Sequence, residues 1–198
     1  GSVSVLNFHY ARPAAVALNR DLGCVIADDE TGFLGIEPAP YRAEAWRFLL
    51  AGGGVFSHLD YGFTVDHPAG DADLPTGTPG SGGPLLRRQL GWMHRFLEEA
   101  AIWDLHPVPL EAVGDAEASS AAAADGDRAV GWCAPGAPPL VLDRSAGTWR
   151  IDWYDPATGV HIGQGSIVHP GGAMRLDPPE AGVEAVFRVE RRRGHGDT

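Results

Sequence analysis

The sequence predicts a mixed fold, in which an α/β region of parallel strands precedes an all-β region of short antiparallel strands. In the first half, short apolar runs alternate with segments of helical periodicity, which is typical of parallel β/α structure. From about Pro107, short strand-like runs are separated by turn sequences, a spacing typical of a small antiparallel β-sandwich. We therefore expect two domains, 1–106 and 107–198.

The first region contains three predicted buried strands, and a predicted helix follows each of them. The strands cover residues 3–9, 24–27 and 55–56, and the helices cover 13–18, 42–51 and 85–101. A triple glycine at 52–54 ends the second helix, and a loop rich in Gly, Pro and Asp precedes the third. A closed (β/α)₈ barrel needs about 250 residues. If the region belongs to a barrel, the earlier strands are absent from this chain.

The all-β region contains six clear strand patterns, at residues 128–133, 139–142, 148–154, 165–168, 173–176 and 183–189. The alanine-rich segment 118–124 favours helix by propensity, but the adjacent Asp125-Gly126 turn favours a strand paired with 128–133. Alternation along 149–153 places Trp149, Ile151 and Trp153 on one face of a strand. We interpret that face as core rather than as a sugar-stacking surface.

Composition excludes several kinds of partner. The net charge of −11 and the pI near 5.0 argue against nucleic acid, since phosphate binding requires a basic surface. All fifteen basic residues are Arg, which excludes a Schiff-base or phosphate-loop lysine. No apolar stretch is long enough for a membrane helix, so we expect no membrane contact. The sequence leaves a cytoplasmic and a secreted location equally open.

We expect neither a cofactor nor a metal. Cys24 and Cys133 lie far apart in apolar runs and are predicted to be buried free thiols. Four residues of the long loop have oxygen- or nitrogen-bearing side chains but lack the spacing of a calcium loop: Asp66, His67, Asp71 and Asp73.

Polar side chains gather where the three parallel strands end. They form the groups Asn7, His9 and Tyr10; Asp28, Asp29 and Glu30; and His58, Asp60 and Tyr61. Because the loops at the carboxyl ends of parallel barrel strands face one common mouth, we expect these groups to form one polar rim. A hydrogen-bond donor such as Tyr10 or His9 would hold Glu30 ionised beside the neighbouring carboxylates.

Short motifs along most of the chain resemble a known family. They are Asn7-Phe8-His9-Tyr10, Glu30-Thr31-Gly32-Phe33, Tyr41-Arg42 with Trp46, Ala51-Gly52-Gly53-Gly54, Leu59-Asp60-Tyr61-Gly62-Phe63-Thr64, and Trp153-Tyr154-Asp155-Pro156 with Thr158-Gly159. The chain resembles TIM-barrel proteins related to glycoside hydrolases of the large retaining clan. Their C-terminal β-sandwich is called a collagen-binding domain, and nothing in the present composition indicates collagen binding.

The resemblance implies that this chain carries the sixth, seventh and eighth strands of a barrel, with Glu30 as the catalytic nucleophile. The acid/base carboxylate would come from the fourth strand, which this chain lacks. A retaining glycosidase needs both carboxyl groups, about 5 to 5.5 Å apart. We therefore expect a carbohydrate substrate, pairing with the missing N-terminal barrel half, and no activity from this chain alone.

Each candidate site residue also has a structural interpretation. Glu30 is either the nucleophile or a solvated loop carboxylate, and His9 and Tyr10 either contact the substrate or satisfy local hydrogen bonds. His58 and Asp60 either line the sugar site or fasten the long loop. The alternative function is a non-catalytic scaffold that binds carbohydrate or an extracellular-matrix protein.

Overall fold

Three parallel strands form the sheet of the first half of the chain: β1 (Val5–His9), β2 (Val25–Thr31) and β3 (Val55–His58), in that spatial order. The computed structural model describes residues 3–12, 14–75, 77–108, 120–180 and 182–192. The chain divides into two compact units, Gly1–Arg95 and Phe96–Thr198. That division falls inside a helix, so the domain boundary at 106/107 stays a prediction.

Helices follow each parallel strand. Helix α1 (Ala14–Asn19) and a 3-10 turn (Arg20–Leu22) follow β1, α2 (Pro38–Leu50) follows β2, and α3 (Gly83–Glu99) follows β3. Helix α2 begins four residues earlier than predicted, because its first turn accepts a proline whose missing N–H would be unpaired there anyway. The triple glycine ends α2 as predicted, with Gly52 in a left-handed conformation at φ 99°.

One face of the parallel sheet packs on the helices and the other is open. Ile26 packs with Val16 and Phe48 in a small core, and Phe8 and Phe56 lie against it. On the opposite face three valines, one from each strand, are about half exposed: Val5, Val25 and Val55. Parallel sheets are normally covered on both faces. The first residue of each strand therefore leaves apolar surface uncovered on this face.

Strand β2 is longer than predicted and contains the acidic triplet instead of ending before it. Alternation turns Asp28 toward the helix side, where it is completely buried, so Asp28 does not belong to the expected polar rim. The pairing of β1 and β2 shifts by one residue here, from Phe8 opposite Asp28 to His9 opposite Glu30. Because of this irregularity, His9 and Glu30 lie opposite each other at the carboxyl end of the sheet.

The second half of the chain contains two antiparallel sheets. The first has six strands in the order β4 (His106–Pro107), β5 (Ser120–Ala124), β6 (Arg128–Cys133), β11 (Ala185–Arg191), β8 (Gly147–Tyr154) and β9 (His161–His169). The second pairs β7 (Leu140–Arg144) with β10 (Gly172–Leu176). The strand prediction for the alanine-rich segment is confirmed over β5, which pairs with β6, while 118 and 119 lie outside the described residues.

Side chains of both antiparallel sheets share one core. Trp149 and Phe187 come from the six-stranded sheet, whereas Leu142 and Met174 come from the two-stranded one. The prediction of an inward tryptophan face on β8 is confirmed, since Trp149 and Trp153 are both buried there and Ile151 packs against them.

Neither Cys24 nor Cys133 forms a disulfide bond. Cys133 is buried as predicted, whereas Cys24 is only half-buried. Within the ranges given above, no helix has the length and apolar character needed to cross a membrane.

Candidate functional site

Glu30 lies near the carboxyl end of β2, the central parallel strand. The last residue of β1, His9, and the residue after it, Tyr10, contact its two carboxylate oxygens. The Tyr10 hydroxyl donates a hydrogen bond to Oε1 of Glu30. His9 Nδ1 lies 3.0 Å from Oε2. The Glu30 side chain is 30% exposed, so its carboxylate is open to solvent on one side. The structure thus brings together three of the five predicted site residues.

The backbone turns sharply at the end of β1 to make this contact. Tyr10 has φ 57°, a left-handed conformation that costs energy for a residue other than glycine. Its N–H donates to the Glu30 carbonyl oxygen at 2.8 Å while its hydroxyl reaches the Glu30 side chain. Strained backbone of this kind tends to occur at functional sites.

His9 lies between two carboxylates. Its Nε2 atom is 3.3 Å from Oδ1 of Asp29, and its Nδ1 atom faces Glu30. Both ring nitrogens of His9 therefore lie within ion-pair distance of a carboxylate.

Tyr10 is held in its protonated, donating form. The hydrogen bond to Glu30 is the largest cause that raises the pKa of Tyr10 to about 12, followed by burial and by the Glu30 charge. The phenol is therefore a hydrogen-bond donor throughout the physiological pH range.

Phe33 lies beside this pair and was not singled out from sequence, where it appears only inside a motif. Its ring centroid is 5.5 Å from that of Tyr10, and 64% of the residue is exposed. Phe33 also has a left-handed backbone, at φ 62°. No local sequence pattern signals this conformation, because bulky aromatic residues rarely adopt it.

Both carboxylate oxygens of Asp60 have partners, one set within its own loop and the other on α3. Its Oδ1 atom accepts hydrogen bonds from the Gly62 N–H and the Ser81 hydroxyl, each at 2.9 Å. Its Oδ2 atom pairs with Arg87 Nη1. Arg87 in turn donates to the carbonyl oxygens of Ala69 and Gly70 at 3.1 and 2.9 Å. These contacts fasten the loop between β3 and α3.

His58 is also withdrawn from solvent. Its side chain is 7% exposed, its Nε2 atom lies 3.9 Å from Asp60 Oδ2, and its ring is 5.5 Å from the Tyr41 ring. Burial lowers the pKa of His58 and so favours its neutral ring. The negative charge of Asp60 opposes this effect.

Among the described residues, no hydrogen bond or ion pair joins Glu30 to His58 or Asp60. The substrate-binding roles of His58 and Asp60 stay predictions, and the contacts of these two residues fit the loop-fastening alternative better. Sequence reasoning missed Ser81 and Arg87 because they lie 21 and 27 positions beyond their partner Asp60.

The carboxyl groups of Asp28 and Glu44 also lie near the carboxyl end of β2. Neither carboxylate oxygen of the buried Asp28 has a hydrogen-bond partner of good geometry. Burial raises the pKa of Asp28, although nearby backbone N–H groups of Ala11 and Glu30 oppose the effect. Burial likewise raises the pKa of Glu44 on α2, and the Asp28 charge adds to the increase. Both groups therefore hold their protons more strongly than exposed carboxyls do.

The loop residues considered as metal ligands form only one pair. His67 Nδ1 lies 3.3 Å from Asp71 Oδ1. Throughout the described ranges, no three His, Cys, Asp or Glu side chains are arranged to hold a metal ion.

The fold is similar to part of several solved glycoside hydrolases. One is a family 5 glycoside hydrolase from Bacteroides vulgatus, with a TM-score of 0.62 and 15% identity, over 90% of this chain and 44% of that one. Another is a family 30 subfamily 8 xylanase from Clostridium acetobutylicum, with a TM-score of 0.53 and 13% identity, over 95% and 49%. A third is a glucosidase from Croceicoccus marinus, with a TM-score of 0.52 and 11% identity, over 97% and 54%.

At such low identity, this likeness establishes the fold alone. No protein-family model matches the sequence. No curated protein matches it either. The chain spans about half the length of the solved hydrolases that it resembles.

Proposed function

We propose that this chain supplies the last three β/α units of a (β/α)₈ barrel and a following β-sandwich, and that the protein is a retaining O-glycoside hydrolase. One observation carries the proposal. A glutamate at the carboxyl end of the central parallel strand has a partner at each carboxylate oxygen: the Tyr10 hydroxyl donates to Oε1, and His9 Nδ1 lies 3.0 Å from Oε2. Barrel enzymes place their chemistry at this end of the strands.

In this proposal Glu30 is the nucleophile that attacks the anomeric carbon. Tyr10 and His9 fix the orientation of the carboxylate, whose ionised form is the reactive one. The acid/base carboxyl group must lie about 5 to 5.5 Å from Glu30. It belongs to an earlier barrel strand outside this chain, so the isolated chain does not hydrolyse glycosides.

The open sheet face supports pairing with the missing N-terminal barrel half. Val5, Val25 and Val55 expose apolar surface where a parallel sheet is normally covered. The solved hydrolases that share the fold are about twice as long as this chain. The occupant we propose is therefore the remaining five β/α units of the same barrel.

The experiment is turnover of aryl glycosides by the full-length protein and its Glu30→Gln variant. The expected loss is at least about 10³-fold, because the amide is not a nucleophile. Glu180→Gln, which changes an exposed glutamate of the second unit, is the matched control and should keep full activity. Equal rates for wild type and Glu30→Gln would remove Glu30 from the mechanism.

A covalent trap tests the retaining mechanism separately. An activated 2-deoxy-2-fluoro glycoside should leave a glycosyl group on Glu30, since fluorine slows hydrolysis of the covalent intermediate by destabilising its oxocarbenium-like transition state. Peptide mass spectrometry locates the adduct. An adduct elsewhere, or inversion of the anomeric configuration in the product, contradicts the proposal.

The alternative of a carbohydrate- or matrix-binding scaffold has less support. Trp149 and Trp153, which could have stacked on sugars from an exposed sheet face, lie in the core. Trp132 is also buried, and its indole N–H donates to Glu184 at 2.7 Å. Binding of glycosides by the full-length protein without any turnover would favour this alternative.

A further inference from the structure

We propose that Phe33 is a sugar-stacking residue that determines how a pyranoside ring is held against Glu30. This inference rests on the proposed function. It adds a residue and an apolar mode of recognition that the charged groups of the site do not supply.

The position of Phe33 ties it to the nucleophile. Its ring contacts the Tyr10 ring, and Tyr10 donates its hydroxyl hydrogen to Glu30. A ring bound at the Glu30 carboxylate therefore meets the Phe33 and Tyr10 rings together. The apolar C–H face of a pyranose packs favourably on such a surface, much as an apolar side chain does.

The loop around Phe33 is fixed on both sides, so the exposure of the ring is not the result of a loose segment. The Leu59 N–H donates to the Thr31 carbonyl oxygen at 2.7 Å just before it. Immediately after it, the Leu34 N–H donates to the buried Tyr41 hydroxyl at 3.2 Å, and that hydroxyl donates to the Gly35 carbonyl oxygen at 2.8 Å.

The backbone of Phe33 is strained, and its side chain gains little from the fold in return. A left-handed phenylalanine costs energy that glycine would avoid. Its large exposed fraction means that little hydrophobic stabilisation within this unit offsets that cost. A function outside the packing of the described residues accounts for the combination, and a bound sugar ring at the adjacent carboxylate provides one.

The experiment measures kcat and KM of the full-length protein on its best substrate from an aryl glycoside panel. Phe33→Ala should raise KM roughly three- to tenfold, the range expected for one lost ring contact. The value of kcat should stay within about twofold, since uniform binding affects KM alone. Phe33→Trp should restore KM. Leu34→Ala, which removes the next exposed apolar side chain, is the control and should leave KM unchanged.

The outcomes separate this inference from the proposed function. If Glu30→Gln abolishes turnover but Phe33→Ala leaves KM unchanged, only the role of Phe33 is overturned. A lower kcat with unchanged KM also overturns it, because Phe33 would then act by positioning Tyr10. A fall in the melting temperature of Phe33→Ala without a change in KM would assign Phe33 to packing against the rest of the barrel. If no aryl glycoside is turned over, or if Glu30→Gln keeps wild-type rates, the proposed function fails and this inference fails with it.

Discussion

At the scale of single residues, Tyr10 and Glu30 form a hydrogen-bonded pair. The hydrogen bond gives the carboxylate a partner, and the same bond keeps the proton on the phenol. This coupling is a property of the first unit alone, so it is testable without substrate and without the rest of a barrel.

We expect Tyr10 to keep its proton in the wild-type chain up to about pH 11, since its pKa is raised to about 12. In Glu30→Gln the carboxylate that raises it is gone, and Tyr10 should titrate nearer its ordinary value of 10.0. NMR of ¹³C-labelled tyrosine follows the transition, and Tyr10→Phe assigns the signal. The same titration midpoint in both proteins would contradict the pairing.

Asp28 is expected to destabilise the folded chain near neutral pH. Its buried carboxylate lacks hydrogen-bond partners of good geometry, so Asp28→Asn should raise the free energy of unfolding at pH 7 by about 1 kcal/mol. Because burial raises the pKa of Asp28, the folded chain takes up this proton at a higher pH than the unfolded chain. The advantage of the variant should therefore shrink as the pH falls through the raised pKa and vanish below about 3.8, the ordinary value.

Urea unfolding of both proteins at several pH values measures this difference. Asp21→Asn, at an exposed position of the 3-10 turn, is the control and should show no such trend. A stability difference between wild type and Asp28→Asn that does not vary with pH would contradict a charged, uncompensated Asp28.

At the scale of elements, one ion pair and its hydrogen bonds help to hold the long loop between β3 and α3, alongside backbone hydrogen bonds within the loop. Arg87 joins Asp60 to two loop carbonyl groups, and its guanidinium lies 4.8 Å from the centre of the Phe63 ring. This cation therefore contributes to the order of the loop.

Arg87→Met should lower the free energy of unfolding by about 2 to 4 kcal/mol, because it leaves the buried Asp60 carboxylate without its cation. Hydrogen exchange of the backbone N–H groups of residues 62–72 should speed up with it. Arg88→Met, at the exposed neighbouring position of α3, is the matched control. Equal stability of the two variants would show that Asp60 does not need Arg87.

Elements with a strong local pattern were predictable from the sequence. The alternation of apolar runs with helical periodicity gave the order β1, α1, β2, α2, β3 and α3, and the Asp125-Gly126 turn identified β5. The start of α2 at Pro38 and the extension of β2 through its acidic residues were missed. The extension of β2 places residues with a poor strand preference in a buried strand, whereas the start of α2 reflects the tolerance of a first helical turn for proline.

The candidate site was predictable only in part, for a related physical reason. A carboxylate after an apolar strand can be found from local sequence, and so can donors at the end of the preceding strand. The left-handed turns at Tyr10 and Phe33 could not be found in this way, since nothing in the neighbouring sequence requires them. The partners of Asp60 depend on contacts across more than twenty residues, which periodicity does not encode.

At the scale of the whole molecule, the uncovered face of the parallel sheet is the main sign of a larger assembly. We expect the chain to bind the preceding part of the protein when the two are produced together. Val25→Asp should weaken that binding at least about tenfold, because it buries a charge in the interface. Val168→Asp, which changes an exposed valine on β9 in the second unit, is the control.

Co-purification of the tagged chain with the preceding segment measures the association. Val25→Asp should leave the unfolding curve of the isolated chain almost unchanged, as its side chain is already exposed there. Retention of binding by Val25→Asp at the wild-type level would place the contact elsewhere.

The left-handed backbones of Tyr10 and Phe33 also have a consequence for directed evolution. Glycine would relieve strain at either position, but only at Phe33 does it do so without removing a hydrogen bond, so Phe33→Gly should make the fold more heat-resistant. A library screened for survival at high temperature alone would therefore accumulate glycine beside Glu30. Variants that keep both aromatic rings would persist only where the screen also demands turnover.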